Sequence, residues 1–200
     1  LIWIFAGLGT GAVLFAVGYQ RICRLRGIWL LICWILLLGA LFFEPVNGAR
    51  RWIRFPLPGL GVVSLQPSEL AKIALCMFTA GYCTYFSRFF SKFRHANGII
   101  PLTLYIGVTC GLVWAGKDMG TTLLILSSAG AIMLAAGLQL RYVLAGGGAA
   151  VLYFIFQVVK DPERLSRVMT IFDPAKDALG AGYQLDRSLM ALGSGGWFGR

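Results

Sequence analysis

The chain has 200 residues, of which 58% are hydrophobic and 13% charged, and its mean hydropathy is +0.76; soluble domains run at about 45–50% apolar and about 25% charged. That balance excludes a soluble globular domain and predicts an all-α polytopic membrane protein, because helices satisfy their own backbone groups in lipid and open strands do not. The net charge of +10 is spread over the breaks between apolar blocks, which points away from nucleic acid and towards membrane lipids or an anionic lipid-linked substrate.

Apolar blocks follow one another at about residues 1–20, 28–43, 70–87, 98–115, 119–138 and 143–159, each long enough or nearly so to span a hydrocarbon core about 30 Å thick. Six transmembrane helices are predicted. Leu1 is not an initiator and the chain stops at Arg200 inside a glycine-rich stretch, so a fragment of a longer protein is expected. No signal peptide is recognisable, since the first block has no charged flank before it and no small-residue cleavage site after it. Gly7 with Gly11, and Gly107 with Gly111, have the spacing of small residues where helices pack closely in lipid. Cys23, Cys33, Cys76, Cys83 and Cys110 contain no Cys-x-x-Cys pair and His95 is the single histidine, so neither a disulfide framework nor a zinc site is indicated.

Alternating spans put the breaks with Arg21, Arg24 and Arg26, with Arg88, Lys92 and Arg94, and with Arg141 on one side. These are short, basic and free of acids, as cytoplasmic anchors are. The other side receives residues 44–68, 116–118 and 160–200, which mix acids, Gly, Pro and aromatics; they are assigned outside, with 44–68 an outer loop and 160–200 a large one. Basic residues alone do not decide the orientation, because both sides carry them.

Three polar constellations interrupt the apolar pattern. The first is Asn47-Gly48-Ala49-Arg50-Arg51-Trp52-Ile53, followed by Gln66-Pro67-Ser68-Glu69-Leu70-Ala71-Lys72. Pro67 suits a first helical turn and Gln66 or Ser68 could cap it. Glu69 and Lys72 share a face, either as a structural ion pair or lining a polar cavity. The second is Lys117-Asp118-Met119-Gly120-Thr121-Thr122, where Asp118 either caps a helix or faces, with Lys117, the same cavity. The third lies in the last loop: Arg164 and Arg167, then Phe172 to Gln184 with Asp173 and Asp177, then Ser188 and the run Gly193-Ser194-Gly195-Gly196. Two arginines and two carboxylates there suit a phosphate-bearing substrate with one carboxylate left over as a base. The glycine run matches no nucleotide-binding fingerprint and also reads as a hinge or packing segment.

In this order, NGARRWI, QPSELAK, DMGT and FDPAKDALGAGYQLDRSLMALGSGG resemble the SEDS family (shape, elongation, division and sporulation; FtsW, RodA and SpoVE), the polytopic glycosyltransferases of bacterial wall synthesis. The doubled arginine and SLMALGSGG are more similar to the division type, FtsW, than to the elongation type. The resemblance covers most polar positions between 47 and 196. It implies one integral membrane domain over 1–200, a fragment of a fold of about ten spans, in the bacterial cytoplasmic (inner) membrane, with the large loop outside. It further implies that Asp177 is the catalytic acid of the motif ending in Tyr183 and Gln184, and that Glu69, Lys72 and Asp118 are functional charges of the cavity. Lys117 departs from the family, which commonly has proline before the acid.

The activity so implied is polymerisation of lipid II, the undecaprenyl-pyrophosphate-linked disaccharide pentapeptide, with Asp177 as general base. Arg50, Arg51, Lys72, Arg164 or Arg167 would neutralise the leaving pyrophosphate, with Glu69, Asp118, Tyr183 and Gln184 completing the substrate site; a divalent cation such as magnesium could share that role. The implied partners are a class B penicillin-binding protein transpeptidase and other divisome proteins. A lipid II flippase, or a non-catalytic scaffold of the wall-synthesis complex, are the alternatives.

Overall fold

The computed structural model describes residues 2–45, 48–57, 61–90, 96–162, 165–166, 168–169, 183–196 and 199. Over these the chain is mostly helical: α1 Ile2–Val17, α2 Tyr19–Arg24, α3 Arg26–Ala40, β1 Ile53–Leu57, β2 Gly61–Leu65, α4 Pro67–Phe90, α5 Ala96–Ala115, α6 Met119–Ala135, α7 Leu140–Lys160 and α8 Tyr183–Gly195. It divides into two compact units, Leu1–Gly147 and Gly148–Arg200.

In the first unit, α3, α4, α5 and α6 share one core. Leu30, Cys33 and Leu37 form the inward stripe of α3, Leu102, Ile106 and Val113 that of α5, and Ile125 and Ala129 that of α6. These spacings are those of one helical face. On α4 the buried face combines Leu75 with small residues, Ala71 and Ala74 being 0% and 2% exposed, and the small positions let neighbouring backbones approach. A polar lock sits among them: the Trp34 indole donates to Thr109 Oγ1 at 2.9 Å, and that hydroxyl donates to the Tyr105 carbonyl at 2.8 Å. Trp34 stacks on Tyr105 with ring centroids 5.8 Å apart, and Phe78 lies 4.7 Å from Tyr105.

α5 and α6 are joined without slack. The Lys117 amide donates to the Trp114 carbonyl at 2.8 Å and the Asp118 amide to the Val113 carbonyl at 3.4 Å, the paired bonds of a Schellman cap. Lys117 holds the left-handed position with φ 61°. Glycine usually takes that position, as Gly137 does with φ 96° at the end of α6. Here the glycine is one residue earlier, at 116, where a Cβ would lie 2.8 Å from the Arg50 carbonyl oxygen. Close approach therefore decides 116, and Lys117 bears the strained turn.

In the second unit, α8 opens with Asp186 in its first turn, favoured by the helix dipole, and Arg187 lies over the Tyr183 ring at 5.2 Å.

Several expectations are corrected. Residues 44–68 are not a plain loop: β1 and β2 pair antiparallel, Ile53 opposite Leu65 and Phe55 opposite Val63. The block at 1–20 is broken at Gly18, whose φ of 81° ends α1 and starts the short α2. At Gly7, Gly11, Gly107 and Gly111 nothing among the described residues lies within 4 Å of where a Cβ would stand, so no described neighbour packs closely on them. All six apolar blocks are helical, but among the described residues α7 alone is both long and apolar enough to cross a membrane, with a mean hydropathy of 1.8; Ile4–Val17, Arg26–Ala40, Ile99–Ala115 and Met119–Ala135 are shorter apolar helices.

Candidate functional site

The end of α3, the start of α4 and the joint between α5 and α6 meet at one end of the first unit, and Asp118 lies where they meet. It is 6% exposed. As N-cap of α6 it accepts through Oδ1 from the Thr121 amide at 3.2 Å, satisfying one of the free donors of a helix start. Its Oδ2 accepts from Gln66 Nε2 at 3.0 Å and, at the long limit of 3.5 Å, from Ser68 Oγ. The Gln66 amide also donates to Ser68 Oγ at 3.0 Å. Arg51 Nη1 stands 3.8 Å from Oδ1, an ionic neighbour rather than a hydrogen-bond donor.

The doubled arginine is divided between two helix ends. Arg50 Nη1 donates to the Leu41 carbonyl at 3.3 Å, at the C-terminal cap of α3, where a cation is favoured. Arg51 turns the other way, to Asp118. Its Nε is buried with no hydrogen-bond partner among the described residues. Beside it a crevice lined by Leu37, Ala40, Leu112, Val113 and Gly116 has room for about one water molecule.

Glu69 and Lys72 sit on the first turns of α4 and pair at 2.8 Å. The Glu69 side chain is 56% exposed and that of Lys72 27%. In water such a pair contributes about 0.5 kcal/mol or less, so the fold does not depend on it. Both groups are accessible to a ligand, whereas the Asp118 carboxylate is enclosed and bonded at both oxygens. Lys117 does not join them: it is exposed, and its φ of 61° is out of reach of a proline ring, which fixes φ near −65°. The turn before Asp118 is therefore built differently from the proline turn that the resemblance implies.

Of the site residues expected from sequence, Arg50, Arg51 and Asp118 come together, with Glu69 and Lys72 at the start of the adjoining helix. Asp177, Arg164 and Arg167 lie outside the described residues. Tyr183 begins α8 in the second unit and is exposed; Gln184 follows it, its side chain outside the described set. Sequence reading gave Gln66 and Ser68 only a capping role on α4. Their bonds to a carboxylate some fifty positions away leave no local signal. A divalent cation does not fit the described residues. No group of three or more His, Cys, Asp or Glu occurs among them, and the two carboxylates here already face Lys72 or Arg51.

The profile of the FtsW/RodA/SpoVE family, described as Cell cycle protein, matches residues 1–200. The chain is 37% identical over 171 residues to the Acinetobacter baylyi protein named Probable peptidoglycan glycosyltransferase FtsW, covering 86% of this chain and 41% of that one. It is 32% identical over 201 residues to the protein of the same name from Aliivibrio salmonicida, covering 100% of this chain and 48% of that one. The chain thus spans about half the length of the curated relatives it matches. Among solved structures, the Thermus thermophilus rod shape determining protein RodA superposes with a TM-score of 0.60 at 26% identity, over 74% of this chain and 46% of that one. A chain from a structure described as structural coordination of polymerization and crosslinking by a peptidoglycan synthase complex superposes with a TM-score of 0.66 at 28% identity, over 96% and 56%. A full-length family match, a shared fold and relatives above 30% identity agree, and the chain belongs to the FtsW/RodA/SpoVE family of cell cycle proteins.

Proposed function

We propose that this chain is part of a division-type peptidoglycan glycosyltransferase that polymerises lipid II into glycan strands. The observation that carries the reading is the accessible Glu69–Lys72 pair on the helix whose start is bonded to a buried Asp118, in a chain 37% identical to a protein named Probable peptidoglycan glycosyltransferase FtsW. It is a charged patch held rigid beneath and left open to a ligand.

The protein is read as a multi-pass protein of the bacterial cytoplasmic (inner) membrane. In support, α1 exposes apolar groups all round, Phe5 at 70%, Leu8 at 66%, Val13 at 62% and Phe15 at 90%, which water would not tolerate and lipid or further helices of a longer protein would cover. Residues 160–200 are read as the large outer loop of a fold of about ten spans.

In the reaction the 4-hydroxyl of the acceptor's GlcNAc gives its proton to the Asp177 carboxylate, and its oxygen bonds to the anomeric carbon of the donor's MurNAc with inversion. The bond from that carbon to the pyrophosphate breaks, and undecaprenyl pyrophosphate leaves as an anion that needs neutralising charge rather than a proton. The family resemblance offers Arg50, Arg51, Lys72, Arg164 or Arg167 as the source of that charge. The implied partner is a class B penicillin-binding protein, which crosslinks the strands; the resemblance to a chain from a peptidoglycan synthase complex supports this.

The test is Asp177→Asn in the full-length protein, assayed with purified lipid II in the presence of its transpeptidase. The variant should fold, insert and make no glycan. Polymer at the wild-type rate would remove Asp177 from the chemistry, and lipid II crossing a bilayer with no polymer from the wild type would favour transport.

A further inference from the structure

Gln66 precedes the first residue of α4 and is bonded at both ends. Its carbonyl accepts from the Glu69 amide at 3.1 Å, which opens the first turn of the helix. Its side-chain amide donates to Asp118 Oδ2 and to Ser68 Oγ, each at 3.0 Å. The main chain of Gln66 thus sets where α4 begins, and its side chain fixes that beginning to the cap of α6. Glu69 and Lys72 lie on the turns that follow, so their direction is set by this bond rather than by their own pairing.

We infer that Gln66 is a positioning residue for the glycosyltransferase site, and that Asp118 serves the reaction as the acceptor of the Gln66 amide rather than as a charge that meets substrate. The inference rests on the proposed polymerase reading. Asp118 has no room for another role: it is 6% exposed, both oxygens are bonded, and the nearest cation, Arg51, stands beyond hydrogen-bond length at 3.8 Å with a side chain 38% exposed, free to be hydrated if the charge is removed.

The geometry makes hydrogen-bond polarity and charge separable. In Asp118→Asn the Oδ1 atom still caps Thr121, and the new amide can donate to Gln66 once that side chain turns over and presents its oxygen. In Gln66→Glu two carboxylates face each other and the bond becomes a repulsion. The pair Gln66→Glu with Asp118→Asn restores the bond with donor and acceptor exchanged.

The experiment measures lipid II polymerisation by the full-length protein with its transpeptidase partner, using only the monodisperse folded fraction of each variant. Asp118→Asn should lower kcat by less than Gln66→Glu does, because its Oδ1 cap is kept and its amide can still bond Gln66. Gln66→Glu should lower kcat by about tenfold or more with the KM for lipid II within about twofold, the size expected for one lost bond to a charged group that orients others. The double variant should return to the level of Asp118→Asn. An inactive Asp118→Asn, or a double variant no better than Gln66→Glu, overturns the inference. Absence of polymer from the wild type would instead count against the polymerase reading, so the two failures are distinguishable.

Discussion

Replacing Gly116 by alanine tests the close approach on which the polar end of the first unit is built. The added Cβ would meet the Arg50 carbonyl oxygen at 2.8 Å and the Val113 carbonyl oxygen at 3.3 Å. Ordinary contact begins near 3.4 Å, so the Arg50 backbone has to retreat by about 0.6 Å. A backbone atom, unlike the end of a flexible side chain, cannot swing aside. The retreat carries Arg51 with it, and at 3.8 Å its contact with Asp118 has little length to lose. Overpacking of this kind costs about 1–3 kcal/mol, while the lower chain entropy of alanine returns about 0.5–1 kcal/mol; a net loss of about 1–2 kcal/mol is expected. The assay is thermal unfolding of the detergent-solubilised protein beside Gly111→Ala, a helical site with nothing within 4 Å. The midpoint should fall by a few degrees for Gly116→Ala and hold or rise for Gly111→Ala. A Gly116→Ala protein as stable as Gly111→Ala would refute the packing argument.

Two further outcomes are expected. Thr109→Val leaves the Trp34 N–H without its acceptor in the core and should destabilise by about 1–2 kcal/mol; Trp34→Phe on top of it should cost less than its own single-variant effect, read as non-additivity in a double-variant cycle of unfolding midpoints. Glu69→Gln removes an exposed pair, so the unfolding midpoint should change by no more than the equivalent of about 0.5 kcal/mol, while lipid II polymerisation falls if the pair serves the site; a drop in stability without a drop in polymerisation would make the pair structural.

Element by element, the sequence carried the local facts and lost the distant ones. Asp118 reads as a cap because it stands directly before an apolar helix, and Glu69 with Lys72 reads as a pair because three positions on a helix share a face; both are local, and both occur. The hairpin at 53–65 is obscured by Pro56, since proline within a run counts against a strand, and the first strand has only five residues. Proline is tolerated there because a two-stranded sheet has only edge strands. Gly18 was the visible signal for the break after α1, overridden by the continuous apolar run around it. The glycine pairs of α1 and α5 fit a packing pattern that no described neighbour completes. The link from Gln66 to Asp118 depends on α4 meeting α6, which nothing in either segment announces.

The joint between α5 and α6 has a consequence for chain length. Asp118 belongs to two helix ends at once, giving its amide to the cap that closes α5 and its carboxylate to the cap that opens α6. An inserted residue at 116–118 has nowhere to be stored: it must undo one of the caps, or screw α6 round by about 100° and carry Thr122, Ile125 and Ala129 out of the core. A deletion does the same in the opposite sense. At this joint the count of residues is specified as tightly as the identities of Gly116 and Asp118, and relatives should keep the number fixed while exchanging side chains only at the exposed position 117.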